Sequence, residues 1–159
     1  MKPAPVPLSR MVDLEPACLR LAIPEQYRDE NGHMNMRWYL AVFDDAGYPL
    51  QERLGLTQTG GFDLEHHVHY LNEVLPGEVV AVYARLVGHS AKRLHYLMFM
   101  VNETRGTLAA IFECVNSFAD MTSRRTAPWP ADIAARIAQA VGEHRKLDWP
   151  APVCGVMSA

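Results

Sequence analysis

The chain is poor in the features that mark several protein classes. Its 159 residues include three cysteines, Cys18, Cys114 and Cys154, an odd number at wide spacing with no C-x-x-C pair. That usage argues against a disulfide framework and a zinc ribbon, and predicts a reducing, cytoplasmic setting. No run approaches the ~18 consecutive apolar residues of a membrane-crossing helix. The first residues carry Pro3, Pro5 and Pro7 and no apolar h-region, so no secretory leader is expected there. Positive charge is short as well. Lys+Arg number 15 against 18 Asp+Glu, a net charge of −3, so no general nucleic-acid surface is expected. What is present is an ordinary globular balance, 49% hydrophobic and 21% charged, in a length that fits one domain.

Hydrophobic spacing divides that domain. Residues 1–16, with prolines at 3, 5, 7 and 16, predict a loose, flexible lead-in. Residues 17–27 alternate as a first strand, with Leu19, Leu21 and Ile23 on one face. From about Met36 the period becomes helical, with Tyr39, Val42, Phe43, Ala46 and Leu50 on one stripe. Pro49 predicts a kink or break in that helix, and Leu54-Gly55-Leu56 its end. Four strands are expected at 62–74, 78–89, 92–102 and 107–120, joined as an antiparallel meander by turns at Pro76-Gly77, Gly88-His89-Ser90 and Asn102 to Gly106. A second helix is expected at 130–142, inside a domain of 17–147, and a loose tail over 148–159. The packing solution for this order is an α+β fold in which a curved antiparallel sheet wraps one long helix. Its free edge and outer face predict a homo-oligomer.

The chemistry concentrates in Asp29-Glu30-Asn31-Gly32-His33-Met34-Asn35, between the first strand and the long helix. Gly32 allows a tight turn, and Asn35 suits the helix cap. The unpaired N–H groups at the helix start, aided by its dipole, can hold a polarised carbonyl oxygen without a charged side chain. Asp29 could then attack that carbonyl or activate water against it. The same residue types also serve as plain turn and cap residues. Trp38, Tyr39, Phe43, Tyr48 and Met34 could line an acyl pocket, although such a stripe is more often core.

The run RDENGHMNMRWYLAVFDDAG resembles the D-x-N-G-H-x-N signature and following helix of hotdog-fold acyl-CoA thioesterases of the 4-hydroxybenzoyl-CoA thioesterase-like family. FDLEHHVHYLNEVLPGE, AKRLHYLMF and ADMTSRRTAPWP resemble later blocks of the same family in the same order, so the likeness covers about residues 17–130. It implies a five-stranded sheet around a central helix, a homodimer or homotetramer that shares active sites, and hydrolysis of an acyl-CoA thioester. Coenzyme A enters only as part of the substrate, with no further cofactor and no metal. Carried over residue by residue, Asp29 is the catalytic carboxylate, as nucleophile or general base. The turn from Gly32 through Asn35 to Met36 supplies the backbone amides. Asn31 and His33 are secondary polar candidates, and Glu65 is a second carboxylate near the shared site. Glu113, on the face of Ile111 and Val115, reads as a buried acid or an interface group. Lys92-Arg93 and Arg124-Arg125 are candidate contacts for the CoA phosphates.

Rival readings exist. Gly61-x5-His67-x-His69-x3-Glu73 is close to the first metal motif of cupins, and Glu65, His67 and His69 share one strand face. The closing glycine falls early at Gly77, however, and Val80 occupies its expected place. A hotdog dehydratase spaces Asp and His one residue further apart than Asp29 and His33. A binding protein that kept the fold without turnover would bind CoA esters and release no thiol.

Overall fold

The computed structural model describes residues 6–56 and 60–159, so the first five residues of the expected lead-in lie outside it. In chain order it holds β1 (Leu19–Ala22), α1 (Met36–Arg53), β2 (Gly61–Tyr70), β3 (Val79–His89), β4 (Arg93–Asn102), β5 (Thr107–Asp120), β6 (Arg125–Thr126) and α2 (Ala131–His144). Every pairing is antiparallel and the order across the sheet is β1-β3-β4-β5-β2, with two-residue β6 added to β5. This is the hotdog fold: the strands β1 to β5 curl around α1.

α1 forms where its sequence asks for it. The Asn35 side chain accepts the Arg37 N–H, and Tyr39, Val42, Phe43, Ala46 and Leu50 are the buried stripe. That stripe meets the inward residues of the sheet, among them Val82, Met98 and Phe112. Phe43 and Phe112 stack with ring centroids 5.1 Å apart. Burial of each such side chain contributes roughly 1.5–3 kcal/mol, so Phe43→Ala would weaken the whole wrap. The helix does not stop at Pro49; it continues to Arg53. Asp44 and Asp45, one turn earlier, are exposed, so the carbonyl that loses its partner is on the wet side. Burial of Leu50 and Leu54 beyond the proline outweighs the missing bond. The end itself is a Schellman turn: Gly55, at φ 81°, donates to the Glu52 carbonyl and Leu56 to Gln51.

Two connections differ from the sequence expectation. β1 is four residues long, because Pro24 diverts the chain into a 3-10 turn at Glu25–Tyr27. β2 and β3 are not a hairpin. β1 occupies the edge of β3, with Leu19 opposite Val82, so β2 takes the far edge beside β5, with Gly61 opposite Phe118. The segment from Leu71 to Glu78 instead crosses the end of the sheet, where Val74 accepts the Met34 N–H and Ile23 the Gly77 N–H.

The expected looseness of the lead-in and tail does not describe residues 8–14 or 149–157. Leu8–Leu14 is a 3-10 helix with Met11 and Leu14 buried. Trp149 and Met157 are buried too, and Met11, Leu14 and Trp149 cluster with Tyr83, Leu97, Phe99 and Ile111 of the outer sheet face. Prolines remove backbone donors; they do not prevent apolar side chains from covering an apolar face. Arg85 rises from that face, its guanidinium 4.0 Å from the Trp149 ring centroid and donating to the Trp149 carbonyl at 3.0 Å. α2 covers the upper edge of β3, and His144 Nδ1 accepts the Leu86 N–H at 2.7 Å beside a bulge in that strand. Among the described residues no helix is long and apolar enough to cross a membrane.

Candidate active site

After β1 the chain has to turn sharply to enter α1, and the turn is built from its own polar groups. An isolated antiparallel bridge between Arg28 and Met34 closes it. The Asp29 N–H donates to the His33 carbonyl at 2.9 Å, and the Gly32 N–H to the Asp29 carbonyl at 3.1 Å. Gly32 stands at φ 85°, a conformation that strains any residue with a Cβ. Arg28 locks the corner by donating to the Gly32 carbonyl at 2.8 Å. The Asp29 carboxylate is thereby held in place: Oδ1 accepts the Asn31 N–H at 2.8 Å, and Oδ2 lies 3.4 Å from His33 Nδ1. Its side chain is only 9% exposed, while His33 is 36% exposed.

Asn35 then caps α1 by accepting the Arg37 and Trp38 N–H groups, which leaves the N–H of Met36, the first helical residue, without an intrahelical acceptor. Immediately beside this helix start is an open cavity of about 310 Å³, lined by His33, Met34, Met36, Tyr39 and Tyr70, with Glu73 at its rim. Tyr39 and Tyr70 meet edge to face at 5.1 Å. Burial pushes the Tyr39 hydroxyl up to about 12, so it stays a neutral donor near the Asn72 carbonyl, 3.4 Å away.

Asp29, Asn31, Gly32, His33, Asn35 and Met36 therefore gather at one corner. The remaining candidates do not join it within one copy. A bulge after Asp63 sets Glu65 opposite Val115 and His67 opposite Glu113, so Glu65 faces away from α1. Lys92, Arg93, Arg124 and Arg125 share the other end of the sheet, where Lys92 accepts the Phe118 N–H and Arg125 pairs with Asp120. Of the aromatic candidates, Tyr39 and Phe43 are buried with Met34, Trp38 stacks on Tyr27 at 4.0 Å, and Tyr48 is exposed. The cupin triad is absent as such. Glu73 pairs with Arg105 at 3.3 Å, away from His67 and His69, and the sheet is no cupin barrel.

A second cavity, of about 400 Å³, lies between the later turns of α1 and the start of β2. Phe43, Phe62, Tyr96 and Phe112 line it together with Asp44 and Asp63. Asp63 accepts from Asn116 at 2.9 Å and from the Tyr96 hydroxyl at 3.5 Å. Burial drives the Tyr96 hydroxyl well above its ordinary value, so it remains the donor. Sequence reading passed over Asp63 and Tyr96; the alternation of β2 inward from Asp63 was the available signal, obscured by the bulge.

A curled antiparallel sheet wrapped around one long helix is the architecture of the hotdog fold. The model of the Thioesterase-like superfamily matches residues 24–137, and the chain belongs to that family. It is 32% identical over 135 residues to a betainyl-CoA thioesterase of Pseudomonas aeruginosa, covering 80% of this chain and 84% of the relative. Among solved structures, a candidate thioesterase of Pseudomonas putida KT2440 superposes with a TM-score of 0.75 at 27% identity, over 91% of this chain and 96% of the other. A hypothetical protein of Staphylococcus aureus, solved in complex with CoA, gives a TM-score of 0.78 at 24% identity over 89% and 93% of the two chains. The chain is a thioester hydrolase.

Proposed function

We propose that this hydrolase cleaves acyl-CoA with Asp29 as the catalytic carboxylate. The observation that carries the reading is the held Asp29 carboxylate beside His33, which itself lines a cavity that opens on the α1 N-terminus. Gly32, Met34 and Asn35 already donate to the Asp29, Val74 and Tyr27 carbonyls, so the thioester oxygen sits on the His33 and Met36 amides of this turn, where the helix dipole favours the negative charge that develops. Asp29 either takes a proton from water, so that hydroxide adds to the carbonyl carbon, or adds to that carbon itself. In both routes the carbon–sulfur bond breaks and CoA leaves as a thiolate, which needs no strong acid; in the second, water then opens the acyl–Asp29 anhydride, releasing the acid and restoring the carboxylate. Label in Asp29 after single turnover in heavy-oxygen water identifies the second route, since it enters only when water opens an anhydride at the Asp29 carbon. Asn31 and His33 hold the carboxylate. Asp29→Asn without loss of turnover would overturn the assignment.

The functional unit is a homodimer, or a homotetramer built from it. β2 has β5 on one edge and, among the described residues, no strand on the other. Phe62 is 41% exposed, Leu64 50% and Tyr70 47%, a long apolar edge of the kind that pairs with another strand. The ten residues of β2 span about 30 Å, separating the cavity at Tyr70 from the basic residues near Gly61. Antiparallel pairing of two β2 strands exchanges those ends. The partner's basic pairs then reach the CoA phosphates of a thioester bound at this copy's Asp29, and Glu65 of each copy lies near the joint.

For the acyl group, the relative at 32% identity suggests a compact quaternary ammonium. Tyr39 and Tyr70 offer ring faces and Glu73 a carboxylate at the cavity rim, a combination suited to such a cation. Betainyl-CoA against its uncharged isostere, tert-butylacetyl-CoA, tests this: equal kcat/KM for the two would refute it.

A further inference from the structure

Away from Asp29, on the outer face of the sheet, three segments bring unlike metal-ligating side chains together. His67 stands on β2 directly opposite Glu113 of β5. The C-terminal segment crosses the same face, anchored by buried Trp149 and Met157, and carries Cys154 to it. One ligand atom each of His67, Glu113 and Cys154 lies within 4.8 Å of the others. We propose that these three residues bind a divalent transition metal of the zinc type, which clamps the C-terminal segment to the β2 edge.

Donor chemistry and support both favour this ligand. A soft thiolate and a borderline imidazole beside one hard carboxylate form a set that suits zinc or cobalt and not magnesium or calcium. Glu113 is 2% exposed and held from two sides: His95 Nε2 lies 2.8 Å from Oε1, and the Cys154 N–H donates to Oε2 at 2.6 Å. A carboxylate offers about four lone-pair directions, so two remain for a metal. His95 thus plays the part of an orienting partner behind a ligand. His69 lies beside His67, ring centroids 4.4 Å apart, within reach of a fourth position that water could otherwise fill. On binding, the Cys154 thiol gives its proton to solvent and its sulfur to the metal. Neither Cys18 nor Cys114 competes, since both are buried.

The site is independent of the Asp29 chemistry, and it is tested on the full chain stripped with a chelator and titrated with cobalt and zinc. One metal per chain is expected, with the thiolate-to-cobalt charge-transfer absorption that requires a sulfur ligand. Zinc should also shield Cys154 from iodoacetamide in the native protein. His67→Ala and Cys154→Ser, both at accessible positions, should weaken zinc binding by more than about tenfold. His67→Ala should leave Cys154 unshielded, while the exposed control His89→Ala should behave as wild type. Absence of the charge-transfer band, or equal affinity and shielding in His67→Ala and wild type, would overturn the assignment. The first result means no thiolate site, the second an adventitious ion only.

Discussion

His33 Nδ1 lies 3.4 Å from Oδ2 of Asp29, while the other carboxylate oxygen is fixed by the Asn31 N–H. Asp29→Asn keeps the shape and the Oδ1 acceptor and removes the charge. The expected outcome is a fall in kcat of about 10²–10⁴-fold, measured by thiol release, with an unchanged melting curve. His33→Ala should cost much less, because it removes an orienting contact and not the attacking group.

Lys92, Arg93, Arg124 and Arg125 collect at one end of the sheet. Arg93→Ala should raise KM for an acyl-CoA several-fold and leave KM for the same acyl group on N-acetylcysteamine unchanged. Equal effects on the two thioesters would remove the phosphate role.

Leu64 projects from the free edge at 50% exposure. Leu64→Arg together with Phe62→Arg should convert a dimer into monomers by light scattering and abolish turnover, while circular dichroism stays native. A monomeric wild type with full activity would contradict the shared site.

Burial, with Arg85 nearby, holds His144 below the ordinary imidazole value of 6.5, and its neutral Nδ1 accepts the Leu86 N–H. Because the folded value is the lower one, the unfolded chain binds more protons between the two. The contribution of His144 is therefore complete above pH 6.5 and lost as pH falls from there through the folded value. His144→Leu should flatten that acid loss in urea melts. It should also cost about 1–3 kcal/mol at neutral pH, since the Leu86 donor is left unpaired.

Much of this molecule is legible from residue patterns, and the exceptions are physical. Local signals worked where local physics decides: the Asn35 cap, the apolar stripe of α1, the Gly55 ending and the Asp29 turn all follow from neighbours in sequence. Pro49 misled because its cost is small beside the burial of Leu50 and Leu54 on the far side of it. The β2–β3 hairpin misled because Pro76-Gly77 makes a turn without saying which strand edge is already occupied by β1. Alternation put Glu113 on its proper face, yet nothing local could name His95 or Cys154 as its neighbours, 18 and 41 residues away. The same distance hides the proposed completion of the site by a partner copy, which no pattern within one chain spells out.

The covering of the outer sheet face has a consequence for biosynthesis. Leu97, Phe99 and Ile111 are synthesised before Trp149, and until it arrives Arg85 has no ring to lie against. Until the final segment emerges, the nascent sheet presents a bare apolar wall, the kind of surface that binds chaperones or other unfinished chains. A released chain that ended just short of Trp149 would therefore carry the whole sheet with its back still unsealed.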